Sequence, residues 1–124
     1  MNKLLMSVVG AGAIALMVGC GGSVSALTKE HVTRSENTVA QATQTLGNNE
    51  AGAIELQRAK DNLGQAKAAV AAKNDKAADR FASLAQLDAD LAVAKAQTAS
   101  SRKAADEVLA SIETLRNEAA RGTP

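Results

Sequence analysis

Three stretches of the chain repeat apolar residues at the spacing of an amphipathic helix. In the first, over residues 27–46, Val32, Val39 and Leu46 lie seven residues apart. In the second, over residues 50–73, a set of apolar residues recurs every three or four positions, namely Leu56, Ala59, Leu63, Ala66 and Val70. Such spacing places them on one side of a helix. A third stretch, over residues 75–120, contains no Gly or Pro, and the whole pattern predicts three α-helices.

Polar residues and glycine mark the ends of the predicted helices. Ser25 or Thr28 can cap the start of the first helix, and Gly47 ends it. Asn74 suits the left-handed conformation that terminates a helix, and Asp75 suits an N-cap. We therefore expect the second and third helices to meet in a tight antiparallel hairpin.

The third helix carries the longest stripe of apolar and small residues. Its members keep strict three- and four-residue spacing: Leu84, Leu87, Leu91, Ala94, Thr98, Ser101, Ala105, Val108, Ile112, Leu115 and Ala119. We expect this stripe to face partner helices from end to end. A helix of about 45 residues extends roughly 68 Å, so its second half projects beyond the second helix if the two pair. Val108, Ile112 and Leu115 on that projecting half form a candidate partner seam.

Composition favours a slender helical protein. Hydrophobic residues make up 46% of the chain but aromatic residues only 1%, and Ala outnumbers Leu, Ile, Val and Phe together after residue 19. Large side chains are too sparse for sandwiches or doubly wound sheets, whereas abundant Ala, Glu, Lys, Leu and Arg are typical of long helices. We predict an all-α fold over residues 27–124. It is an alanine-rich antiparallel helical hairpin or a three-helix bundle, with a long coiled-coil-like third helix.

The first twenty residues have the pattern of an export signal. Lys3 precedes an apolar run over residues 4–18, which is shorter than the ~20 residues that a membrane-spanning helix needs. The segment Leu16-Met17-Val18-Gly19-Cys20 resembles the lipobox of bacterial lipoproteins, with Met17 where Leu is usual. We expect a lipoprotein signal peptide over residues 1–19 and a lipidated flexible tether over residues 20–26.

The lipobox resemblance implies a specific modification. Cleavage would fall between Gly19 and Cys20, after which the Cys20 thiol carries a diacylglycerol and its amino group an acyl chain. Two or three acyl chains make a stable membrane anchor, whereas one holds only marginally. The alternative is that Cys20 is an unmodified thiol of an exported protein. The residue after Cys20 is Gly21, whereas an Asp at that position would resemble an inner-membrane retention signal. We therefore expect an outer-membrane anchor facing the periplasm rather than an inner-membrane one.

A second resemblance covers residues 51–105. Its markers are Ala53-Ile54-Glu55-Leu56 in the second helix and Arg80, Ala82, Ala85 and Asp88-Ala89 in the third. The segment resembles the bacterial helical domain called domain of unknown function 4398. That family is found in small lipoproteins or ahead of peptidoglycan-binding domains of the outer-membrane protein A type. The resemblance implies a paired-helix fold and an envelope location, and it implies no established activity.

The side chains that carry chemistry are few. The chain has one His, one Cys and a net charge of +1, so we expect neither attraction to nucleic acid nor catalytic, cofactor or metal sites. We expect His31 to be a solvated surface residue. Three pairs have the spacing of ion pairs along one helix: Glu30 with Arg34, Glu55 with Arg58, and Glu113 with Arg116.

The sequence thus favours a structural or adaptor lipoprotein without catalytic activity or a small-molecule substrate. It would act through helix–helix contacts, by self-association or with another envelope protein, while its lipid contacts the membrane. The alternative from a different class is a non-covalent peptidoglycan or cell-wall binding module.

Overall fold

The computed structural model describes residues 22–122, which form three α-helices and no strand in that range. Helix α1 spans Ala26–Leu46, α2 spans Ala53–Ala71, and α3 spans Asp75–Arg121. The all-α prediction is confirmed, and of its two forms the structure adopts the three-helix bundle with the long third helix. The predicted signal peptide at residues 1–19, together with Cys20, lies outside the described residues.

The helices alternate in direction, so α1 and α3 run the same way and α2 runs against both. At one end, the backbone N–H of Ser25 donates to the Asp75 carboxylate at 3.0 Å. At the other end, the amide of Asn49 donates to the carbonyl of Ala96 at 3.4 Å. The start of α1 and the α2–α3 turn therefore lie at one end of the bundle, which we call the tether end. The α1–α2 loop lies at the other.

Capping residues explain most of the helix bounds. The Ser25 hydroxyl accepts from the backbone N–H of Thr28 at 3.0 Å and begins α1, as predicted, and Gly47 ends it. At the α2–α3 turn the prediction was wrong by one residue. Lys73 takes the left-handed conformation with φ 55°, and Asn74 caps α3 by accepting from the N–H of Ala77 at 3.0 Å. The Asn74 side-chain oxygen reaches that N–H, so the turn closes one residue earlier than predicted.

Helix α2 begins at Ala53, later than the predicted residue 50. Gly52 precedes it with φ 92°, a backbone conformation that residues with a Cβ rarely adopt. A Cβ added to Gly52 would lie 2.4 Å from the carbonyl oxygen of Ala92. The backbone of the α1–α2 loop thus touches the backbone of α3, and only a residue without a side chain fits there.

The core of the bundle is built from small residues. On α3 the buried alanines lie three or four apart and form what we call the alanine face: Ala78, Ala82, Ala85, Ala89, Ala92 and Ala96. Val32, Val39 and Leu46 of α1 and Leu56 of α2 pack against this face in two connected clusters. Hydrophobic stabilisation follows the apolar area buried, so this core depends on close helix approach rather than on bulky side chains.

The expected orientation of the long stripe on α3 was wrong for its first half. Leu84, Leu87 and Leu91 are exposed, because the core against α1 and α2 is formed by the alanine face and not by these leucines. Leu87 lies two residues from Ala85 and two from Ala89, and two residues turn a helix by about 200°. The stripe therefore lies on the side of α3 turned away from the bundle.

Candidate interaction surface

The second half of α3 has no neighbouring helix. Every residue from 101 to 122 is exposed, although the helix continues to Arg121. Its 47 residues correspond to a length of about 70 Å. The predicted projection beyond the second helix is thus present, and it points away from the tether end.

The candidate seam lies on this projecting half. Val108 is 58% exposed, Ile112 40% and Leu115 63%. Exposed apolar side chains aligned on one side of a helix mark an interaction surface more often than isolated ones do. The structure thus brings the three residues together on one side of α3 and leaves them uncovered.

The same side of α3 carries the three exposed leucines from the first half of this helix. Together with the candidate seam they define what we call the outer stripe, whose large members are Leu84, Leu87, Leu91, Val108, Ile112 and Leu115. Small residues, from Ala94 to Ala105, occupy the stripe positions between the two groups. The outer stripe therefore runs continuously from the bundle onto the projecting half.

A shallow open depression adjoins the stripe where α2 begins. Ile54 and Leu91 line it, along with Glu55, Lys95 and Arg102. Glu55 is buried and accepts a short hydrogen bond from the Lys95 ammonium. This bond, aided by the backbone N–H of Glu55 and opposed by burial, holds the pKa of Glu55 below its usual value of 4.5. Glu55 therefore remains a carboxylate at neutral pH and positions Lys95 beside the outer stripe.

A second buried carboxylate joins α2 to α3. Asp88 is 6% exposed, and its two oxygens contact Arg58 at 3.1 Å and the Asn62 amide at 2.9 Å. The predicted Glu55–Arg58 pair along α2 is not among the ion-pair contacts of residues 22–122, although the charge of Arg58 helps to lower the pKa of Glu55. Glu55 and Arg58 each bind across the helix interface, because the closely packed alanine face brings α2 within reach of a donor on α3, Lys95, and of an acceptor on α3, Asp88.

The tether end carries a polar cluster that sequence reasoning missed. His31 is only partly exposed, and its Nδ1 lies 3.3 Å from Asp79. The other Asp79 oxygen accepts from the Thr28 hydroxyl at 3.2 Å. The spacing of Asp75 and Asp79 on one side of α3 was the available signal. These contacts join the start of α1 to α3, and the predicted Glu30–Arg34 pair at 3.0 Å adds support along α1.

Metal sites and membrane-spanning helices are both absent from the described part of the chain. No group of three or more His, Cys, Asp or Glu side chains suited to a metal ion occurs within residues 22–122. None of the three described helices is both long and apolar enough to cross a bilayer. The lipidation and cleavage residues, Cys20 and Gly19, lie outside the described range and remain predictions.

Comparison with protein families identifies the domain. The model of a domain of unknown function, DUF4398, matches residues 30–108. The chain belongs to this family. The match takes in most of α1, all of α2 and α3 as far as Val108, so the DUF4398 domain comprises the three-helix bundle and the first residue of the candidate seam. No curated protein and no solved structure matches the chain.

Proposed function

We propose that this protein is a lipid-anchored adaptor of the bacterial outer membrane, which faces the periplasm and acts through helix–helix contacts without catalysis. The observation that carries the proposal is the projecting half of α3. It extends a helix by about five turns beyond its neighbours and leaves Val108, Ile112 and Leu115 uncovered. Such a surface suits contact with another helix better than it suits a reaction.

The direction of the projection supports the anchor. Ser25 bonds to Asp75 at the tether end, and Cys20 precedes Ser25 by five positions. A lipid on Cys20 would place the membrane at the tether end, and the end of α3 would then lie about 70 Å from it. The bundle would serve as a rigid spacer between the bilayer and the contact surface.

The contacts of the charged side chains favour a structural role over a catalytic one. Arg58 with Asp88, Lys95 with Glu55, and Lys67 with Glu36 all join one helix to another. Acid–base chemistry requires carboxylates whose pKa values are separated by an enclosing site, whereas the depression beside Glu55 is open. These pairs therefore support the proposal that the charges hold the bundle together.

Metabolic labelling with a fatty-acid analogue tests the anchor. We expect the unchanged chain to incorporate the label and Cys20→Ser to lose it. Ser23→Ala, a small substitution in the same segment, is the matched control and should label like the unchanged chain. Equal labelling of Cys20→Ser would refute lipidation at this residue, and absence of label in every variant would refute the anchor.

Site-specific photo-crosslinking in intact cells tests the contact surface. A crosslinking residue at Ile112 should capture a protein, while one at Ala110, about 200° around the same exposed helix, should not. Binding of the purified chain to isolated sacculi addresses the cell-wall alternative. Retention by sacculi, with no protein captured at Ile112, would replace the adaptor role with cell-wall binding.

A further inference from the structure

We infer that the outer stripe is covered by a second copy of the chain, in a parallel dimer in which the two α3 helices pack side by side. This inference names the partner for the proposed contact surface and in that respect rests on the proposed function. Its basis is the length, position and flanking charges of the stripe. The lipid anchor is not needed for the pairing itself.

The spacing of the outer stripe is that of a two-stranded coiled coil. From Leu84 to Ala119 its positions alternate three and four residues apart without interruption, which is the a and d pattern of five heptads. A straight α-helix drifts by about 20° per heptad relative to this repeat. A left-handed supercoil of two α3 helices would remove the drift and keep the stripe at the contact.

The area of the stripe matches a dimer only when both of its halves take part. The part from Ala105 to Ala119 is about 21 Å long and about 10 Å wide, and would bury roughly 400 Å² over two copies, well below the ~1,000 Å² of a specific interface. The whole stripe from Leu84 to Ala119 is about 53 Å long, and with the same width it would bury roughly 1,000 Å² over two copies. The partner should therefore be a helix as long as α3, and a second α3 fits.

The bundle leaves room for this pairing. The alanine face contacts α1 and α2, and the outer stripe lies on the other side of α3. In a dimer the two bundles would lie on opposite sides of the α3 pair, so neither obstructs the contact. The exposure of Leu84, Leu87 and Leu91 agrees with an unobstructed approach.

The flanking charges favour parallel over antiparallel helices. With Leu84 at an a position, Asp90 occupies g and Lys95 the following e, which are neighbours across a parallel coiled coil. Lys95 is half exposed and can reach a second carboxylate. Full antiparallel overlap would instead place Leu84 opposite Leu115, and Lys95 would then face the partner's Arg102–Lys103 segment. In the parallel dimer both tether ends also lie on the same side, as a shared membrane requires.

Disulfide trapping in the full chain, expressed in its own envelope, tests this arrangement. In a parallel dimer Val108 meets the same residue of the second copy, so Val108→Cys should form a disulfide-linked dimer on oxidation. Ala110→Cys is the matched control and should not, since it points away from the contact. In the antiparallel dimer two Val108 residues lie about 25 Å apart, beyond the ~7 Å limit for a disulfide. Val108 and Ala110 are both helical and exposed and lie outside the bundle, so neither substitution disturbs the core.

The outcomes separate the pairing from the anchor. A Val108→Cys dimer with monomeric Ala110→Cys supports the inference. Linkage that forms only when Leu91→Cys and Val108→Cys are combined would show an antiparallel pair, and linkage in no variant would show no pair. Either result overturns the inference. Linkage of the unchanged chain through Cys20 would show a free thiol and refute the anchor. The trapping would then be repeated with Cys20→Ser, where the same dimer is expected.

A charge reversal tests the orientation independently. Asp90→Lys would place two ammonium groups beside each other at the contact, and should lower the yield of the Val108→Cys dimer severalfold. Asp106→Lys makes the same charge change on α3 outside the predicted ion pair and should leave the yield unchanged. Equal effects of the two reversals would overturn the parallel register.

Discussion

Replacing Gly52 with Ala provides the most direct test of the packing described above. Two independent effects should make this substitution destabilising. The residue has φ 92°, which disfavours any side chain, and the new Cβ would lie 2.4 Å from the Ala92 carbonyl oxygen. Because the three nearest atoms all belong to the backbone of Ala92, relief of the contact requires a shift of the α1–α2 loop away from α3.

The magnitude follows from comparison with two other glycines. Gly64 lies inside α2 with no atom within 4 Å of an added Cβ, so Gly64→Ala should stabilise the fold by about 0.5–1 kcal/mol. Gly47 has φ 51° and ψ −117° and equally open surroundings, so Gly47→Ala should cost only the conformational strain, about 1–3 kcal/mol. Gly52→Ala combines left-handed strain of about 1–2 kcal/mol with overpacking of about 1–3 kcal/mol, and we expect a loss of about 2–5 kcal/mol.

Urea unfolding followed by circular dichroism at fixed protein concentration measures all three variants. The chain lacks Trp and Tyr, so helical ellipticity is a better probe than intrinsic fluorescence. The free energies of unfolding should rank Gly64→Ala above the unchanged chain, then Gly47→Ala, then Gly52→Ala. If Gly52→Ala costs no more than Gly47→Ala, the loop does not press on Ala92 and the tight contact is wrong.

Three further substitutions test the polar contacts of the bundle, each by the same unfolding measurement. Ser35 is fully buried, and its hydroxyl has no hydrogen-bond partner among the described residues, so Ser35→Ala should stabilise by about 1 kcal/mol; destabilisation would reveal a hidden partner. Asn62→Ala should cost about 1–2 kcal/mol, because it removes a donor from buried Asp88, and an unchanged midpoint would contradict this role. The lowered pKa of Glu55 means that the stabilisation by Lys95 is present above pH 4.5 and fades as the pH falls through the lower folded-state value. Lys95→Gln should therefore be less stable than the unchanged chain at neutral pH, and this gap should narrow as the pH falls through the folded-state pKa of Glu55; a gap that stays constant as the chain is acidified would assign the effect to packing.

The positions at which the helices begin and end were largely predictable from the sequence, because helix ends depend on local chemistry. Ser25 and Gly47 bound α1 where capping rules place them. The exposed second half of α3 was also predictable, since the second helix is too short to accompany it. These features depend on neighbours within a few residues or on simple length, both of which a sequence displays.

The orientation of α3 was not predictable because two stripes on the same helix share one spacing. Ala85, Ala89 and Ala92 repeat at the same intervals as Leu84, Leu87 and Leu91. Size alone favours burial of the leucines, as the prediction assumed. Close packing of three helices selects the alanines instead, and that choice depends on the distance between the helix backbones, which no local pattern specifies.

The ion pairs across helices escaped prediction for a related reason. Glu55 and Arg58 have suitable spacing within α2, yet each finds a partner on α3. The pairing of His31 with Asp79 joins residues 48 positions apart. Sequence spacing identifies contacts along a helix but not between helices whose relative rotation is unknown.

The opposite placement of Ser25 and Arg121 has a mechanical consequence. A pull between these two ends would act along the helix axes, so the contacts of α3 with α1 and α2 would be loaded in shear. Shear strains every layer of the interface together, whereas peeling would open the layers one after another. The bundle should therefore resist stretching along its length far better than force applied across it.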